Sequence, residues 1–148
     1  MDRGLIAEAE VKIKAPPSRV WEALVTPSII KRYFFGSDIV TDWAVGSPIL
    51  HRGEWQGQAY EDKGSILEVE PQRSLVVTHW SPLSGTADAP ENYHTVRYAL
   101  AANGQGTSVG IRQDNNASQE EVEHSKANWQ SVLDGLKALL EGDVQAAA

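Results

Sequence analysis

Leu5-Ile6-Ala7-Glu8-Ala9-Glu10-Val11-Lys12-Ile13-Lys14, followed by Ala15-Pro16-Pro17-Ser18-Arg19-Val20-Trp21-Glu22-Ala23-Leu24, is the stretch that decides how this chain begins to fold. In its first segment Leu5, Ala7, Ala9, Val11 and Ile13 fall on one side, and Glu8, Glu10, Lys12 and Lys14 fall on the other. Period two is the pattern of a strand with one face buried and one in water. The paired prolines end that strand, because a residue preceding proline avoids the helical region, and Pro17 is the natural first helical position. A second break at Thr26-Pro27 predicts another short helix, with Thr26 as its cap and Ile29, Ile30, Tyr33 and Phe34 on one side. Gly36 ends it.

From there to about Gln113 the sequence is β-rich, in short segments of Val, Ile, Thr, Tyr and Trp between turn residues. Strands are predicted near Asp38 to Thr41, Pro48 to Arg52, Gln58 to Glu70, Ser74 to Trp80, Asn92 to Ala101 and Thr107 to Gln113. Gly64 marks a bulge or bend in the third of these. Asn103-Gly104 and Gly106 predict a hairpin between Leu100 and Val109. Ser81 to Glu91 is too rich in proline and small polar residues for regular structure and is expected to be a long surface connection. The last element begins at Ser118, with Glu121 placed as in a capping box, and carries Trp129, Val132, Leu133, Leu136, Leu139 and Leu140 on one stripe. Gly142 is expected to stop this helix, with an ordered core over about residues 4–142 and fraying at Ala146 to Ala148. Gly135 inside it costs about 1 kcal/mol relative to alanine, which close approach to the sheet would explain.

The chain has 148 residues, 41% of them hydrophobic, a size suited to one domain over residues 1–148. It has no cysteine, which removes disulfides, thiolate metal sites and cysteine nucleophiles and fits a cytoplasmic location. No apolar run approaches the ~20 residues of a membrane helix, and Met1-Asp2-Arg3-Gly4 does not open a signal peptide. Twenty acidic residues against thirteen basic give a net charge of -7, with no basic cluster that would track phosphates, so nucleic acid is not an expected partner. The four histidines, His51, His79, His94 and His124, lack the spacing of a helical metal pair, and neither a metal nor a cofactor is expected.

One strand, two short helices, six strands and a long amphipathic helix make an α+β fold in which the helix stripe must bury against the sheet. The run from Ala15 to Leu24, Thr78-His79-Trp80-Ser81-Pro82-Leu83-Ser84-Gly85, Pro90-Glu91-Asn92-Tyr93-His94-Thr95-Val96, Gln113-Asp114-Asn115-Asn116 and Asn128 to Lys137 resemble the bacterial single-domain relatives of the activator of Hsp90 ATPase C-terminal domain, in the START-like or Bet v 1-like superfamily. The resemblance implies a helix-grip fold: a seven-stranded curved antiparallel sheet wrapped around a long C-terminal helix, with two short helices after the first strand. It also implies a cavity for a hydrophobic or amphipathic small molecule. It brings no shared catalytic motif, and no counterpart of the further N-terminal domain of the eukaryotic co-chaperone is expected.

Large aromatic side chains suit the lining of such a cavity. The expected pocket residues are Trp43, Trp55, Tyr60, His79, Trp80, Tyr98, Gln113 and Trp129, with no catalytic residue assigned. His79 is in phase with Leu75 and Val77, yet the pattern leaves open which of His79 and Trp80 faces inward. Three functions follow as expectations: binding of a hydrophobic small molecule, a cyclase or aromatase reaction in the same cavity, and regulation of an Hsp90-type chaperone through a surface patch. The protein is expected as a monomer or a homodimer.

Overall fold

The computed structural model describes the backbone of residues 4–104 and 106–147, and the side chains of all of these except 55 and 143–147. Strand β1 (Leu5–Ile13) leads into α1 (Pro17–Val25) and α2 (Pro27–Tyr33), and both helices start on proline. Six strands follow: β2 (Asp38–Val40), β3 (Pro48–Trp55), β4 (Gln58–Glu70), β5 (Ser74–His79), β6 (His94–Asn103) and β7 (Gly106–Asn116). The chain closes with α3 (Gln119–Ala147). The seven strands form one antiparallel sheet in the order β1-β7-β6-β5-β4-β3-β2. The first strand therefore pairs with the last, and β2 and β1 are the two edges.

The alternation read in β1 is present, with Ala7, Ala9 and Ile13 buried and Glu8, Glu10 and Lys12 exposed. Val132, Leu133, Leu136 and Leu140 of α3 are buried in the core with Ile13, Val20, Ile66, Val109 and Ile111. At the start of α3 the Ser118 hydroxyl accepts from Glu121 N–H at 3.1 Å, while the Glu121 carboxylate accepts from Ala117 N–H at 2.8 Å. The cap forms, one residue earlier on its returning side than a standard box.

Several boundaries differ from expectation. Gly142 does not stop α3, which continues to Ala147; the fraying expected over Ala146 to Ala148 concerns side chains, and at 148 a backbone, outside the described residues. Thr26 does not cap α2, because its hydroxyl donates back to the Glu22 carbonyl at 2.6 Å. The connection after β5 carries two short 3-10 turns, Pro82–Ser84 and Pro90–Asn92. β5 stops at His79, and Trp80 continues only as an isolated bridge to Lys63. Gly135 faces Tyr33 of α2, whose Cβ lies 3.4 Å from the position of an added Cβ, rather than the sheet.

At Gly64 the need for glycine is steric. An added Cβ would sit 1.7 Å from the Thr78 carbonyl oxygen of β5, and the register shift follows between Ile66 and Glu68. Gly64→Ala must push β4 and β5 apart at backbone that has no flexible end to give. The expected destabilisation is about 3 kcal/mol or more, the upper end for overpacking, measured by urea unfolding. An unchanged unfolding midpoint would contradict this register.

Candidate functional site

The inward positions of the central strands change character along their length. At one end lie Ile49, Ile66, Leu75, Val77, Val96, Tyr98, Val109 and Ile111; at the other lie Tyr60, Asp62, His79, His94 and Gln113. Every second residue of a strand shares a face, so this gradient is built into the strand sequences themselves. A cavity of about 30 Å³ lies in the apolar half, between the sheet and α2, lined among others by Tyr33, Phe34, Trp43, His51, Val77 and Tyr98. That is room for one or two waters, so the interior is packed rather than hollow. At the polar end a cleft of about 480 Å³ opens outward, bordered by Phe35, Tyr60, Asp62, Leu83, His124 and Asn128.

His51 and Asp62 join these two spaces. They are directly paired across β3 and β4, His51 lining the interior cavity and Asp62 the outer cleft. The Nε2–H of His79 donates to Asp62 Oδ2 at 3.0 Å, and the His51 ring meets the His79 ring edge to face at 5.6 Å. His51 Nδ1 and Asp62 Oδ1 are both buried with no hydrogen-bond partner among the described residues. Burial pushes the His51 imidazole down to about 3, helped by neighbouring His79 and opposed by Asp62. Burial alone would raise Asp62, but hydrogen bonds from His79 and Ser81 outweigh it and hold the carboxyl below its ordinary range. The cluster is therefore a neutral imidazole beside a carboxylate. Burial also raises the phenols of Tyr33 and Tyr98, which stay protonated.

The residues expected in the pocket are divided among different surroundings. Trp43 and Tyr98 line the interior cavity, and Trp129 packs edge-on against Tyr98 at 6.0 Å and Phe34 at 5.6 Å. Tyr60 borders the outer cleft with its hydroxyl 2.7 Å from Ser37 Oγ. His79 lies on the inward face at its polar end, whereas Trp80 stacks on Tyr93 at 6.3 Å. Gln113 is buried and fully engaged: its Oε1 accepts from Trp129 Nε1 at 2.8 Å and its Nε2 donates to Asn116 and Ser125. The Trp55 side chain lies outside the described residues. Phe34, His51 and Asp62 are not among the residues expected in the pocket, although His51 is in phase with buried Ile49.

The family model described as Activator of Hsp90 ATPase homolog 1-like protein matches residues 14–141. The chain belongs to that family. Its fold is similar to the solution structure of ChR145 from Cytophaga hutchinsonii, at 49% identity and a TM-score of 0.83 over 98% of this chain and 99% of that one. It is also similar to MLL2253 from Mesorhizobium loti (23% identity, TM-score 0.74, 93% and 97% covered) and to the Aha1 dimer from Colwellia psychrerythraea (21%, 0.73, 93% and 96%). These last two likenesses concern the fold alone. No curated protein sequence matches the chain. Within this AHSA1-like domain the matched stretch includes β2 to β7 and most of α3, and so the whole His51-Asp62-His79 cluster. No described helix is long and apolar enough to cross a membrane.

The buried imidazole makes stability depend on pH. In the unfolded chain His51 titrates near 6.5, whereas in the folded protein it does so at about 3. Below 6.5 the unfolded state takes up a proton that the folded state refuses, so the contribution is full above 6.5 and is lost as pH falls towards 3. Thermal melting is expected to fall between about pH 7 and about pH 5, with a slope approaching ~1.4 kcal/mol per pH unit. His51→Phe is expected to flatten that slope. The same slope in both proteins would contradict a buried neutral His51.

Proposed function

We propose that this protein binds a small amphipathic molecule, with its apolar part held between the sheet and α2 and its polar end against His51 and Asp62. The observation that carries this reading is the pair of orphaned buried atoms, His51 Nδ1 and Asp62 Oδ1, where the apolar half of the concave face meets the polar half. An unpaired buried polar atom costs about 1–3 kcal/mol, and a ligand hydroxyl that donates to the Asp62 carboxylate removes that cost. Two orphans side by side form a recognition site for one polar group.

The apolar part needs more than the cavity of about 30 Å³, since small-molecule sites span roughly 300–1,000 Å³. The residue in the way is Phe34, whose ring packs on His51 at 5.5 Å and on Trp129 at 5.6 Å. Rotation of Phe34 outward joins the interior to the cleft of about 480 Å³. The surrounding backbone is held under strain: Phe35 (φ 52) and Trp43 (φ 63), on either side of β2, both sit in the left-handed region. Bulky residues hold that conformation at a cost of about 1–3 kcal/mol each, and such positions cluster at ligand clamps and switch segments. Phe35 is also half exposed on the rim of the cleft.

A second reading, acid-base catalysis on the bound molecule, is favoured by the orientation of His79. Its Nε2 lies 3.0 Å from Asp62 Oδ2, an imidazole–carboxylate pair of the kind that serves proton transfer.

Native mass spectrometry of freshly purified protein is expected to show a retained adduct, or saturable quenching of tryptophan fluorescence within a panel of fatty acids and aromatic phenols. Phe34→Ala is expected to tighten binding by lowering the opening cost. Asp62→Asn is expected to weaken it about 10- to 100-fold, as for a lost hydrogen bond to a charged group. No adduct and no saturable ligand, in either the native protein or the Phe34→Ala variant, would overturn the proposal.

A further inference from the structure

Across Ser81 from the outer cleft lies a second, separate cleft of about 320 Å³, bordered by β5, β6, the end of β7 and the start of α3. Its volume falls at the low end of the roughly 300–1,000 Å³ of small-molecule sites. What distinguishes it is the hydrogen-bond accounting of its walls. Asn92 spends its Nδ2 donor on the Ala87 carbonyl at 2.8 Å. Asn115 spends its Nδ2 on the carbonyls of Glu91 and Tyr93 at 2.8 and 3.0 Å. The Nδ1–H of His94 donates to the Asp114 carbonyl at 2.8 Å, and the Nε2–H of His79 donates to Asp62. The indole N–H of Trp80 is taken by Thr86 Oγ1 at 3.0 Å.

Apart from the second N–H of Asn92, these donors are turned into the protein, and both asparagines are left with an acceptor. Those acceptors are the Oδ1 atoms of Asn92 and Asn115. Glu121 adds a carboxylate whose Oε2 is held by Ala117 N–H, with Oε1 3.7 Å from His94 Nε2. The Ser81 hydroxyl is engaged by Asp62, and the hydroxyls of Ser84 and Thr86 bond each other at 2.7 Å. Among the described residues no Lys or Arg borders the cleft, while Glu91 and Glu121 do.

We infer that this cleft binds a small organic cation carrying several N–H donors, an alkylammonium or guanidinium compound. Anions meet two carboxylates and no Lys or Arg among the described residues here. Neutral polyols forgo the charge-assisted bond to Glu121, which is the stronger kind. The site does not depend on the opening of the interior and stands apart from the binding proposed there.

The test is calorimetric titration of the full chain with butane-1,4-diamine, with butane-1,4-diol as its uncharged counterpart. One saturable site for the diamine and none for the diol is expected. Glu121→Gln keeps an amide oxygen for Ala117 N–H and is expected to lower diamine affinity about 10- to 100-fold. Glu22→Gln on α1 is expected to leave it unchanged. In the unsubstituted protein, diamine-induced NMR shifts should centre on His79, Trp80 and His94 and spare Tyr98, a readout that needs no variant. Equal binding of diol and diamine, equal weakening by Glu22→Gln, an unaffected Glu121→Gln, shifts centred elsewhere, or no saturable heat would each overturn the inference.

Discussion

The apolar stripe of α3 has one surface on which to bury, and the rest of the fold follows from that. Val132, Leu133, Leu136 and Leu140 are almost wholly buried, each removal from water favouring the folded state by about 1.5–3 kcal/mol. A helix of this length can be covered only by a sheet that curves, and β1 must return beside β7 for the curve to include it. The same helix then protects the exposed edge of β1. Lys137 Nζ donates to the Lys12 carbonyl at 2.7 Å, Gln130 Nε2 to the Glu10 carbonyl at 3.4 Å, and Lys14 N–H to Glu141 at 3.0 Å. Such covering removes the free strand edge on which chains aggregate.

The two ends of the grip are fastened by different means. At the polar end, Gln113, Asn116, Ser125 and Trp129 satisfy one another, and Asn116 Nδ2 reaches the Leu5 carbonyl at 2.9 Å. This network ties α3 to β7 and β1, and a fully satisfied buried network specifies one arrangement. The α2 side is held otherwise: a seven-residue helix without a side-chain cap, a Tyr33 hydroxyl donating to the Ala23 carbonyl at 2.8 Å, and aromatic packing around Phe34. A ligand can enter where packing can be exchanged for packing. It cannot easily enter where polar bonds would have to be broken.

Local signals were enough to read the elements: alternation in β1, proline at the starts of α1 and α2, and Ser118 with Glu121 before α3. What failed depended on partners that the sequence does not name. The apolar stripe puts Gly135 in a helix, but only packing shows that it faces Tyr33 rather than the sheet. Gly142 resembles a stop, yet an added Cβ there meets nothing within 4 Å and its φ is not left-handed, so the helix passes through. Parity with Ile49 points His51 inward, while its pairing with Asp62 depends on the hairpin register between β3 and β4. The volume of the interior is the least legible quantity of all, because a methyl group on any of several side chains changes it.

The central claim is that the sheet and α3 form a fixed frame and that Phe34 is the movable wall between interior and cleft. NMR relaxation dispersion on aromatic and methyl side chains of the unliganded protein tests it most directly, since wall opening belongs to the microsecond-to-millisecond range. Exchange at Phe34, with a response at Trp129 and Trp43 and none at Val109, Ile111 or Leu133, is the expected result. A Phe34 free of exchange, or exchange spread evenly through β7 and α3, would contradict the account.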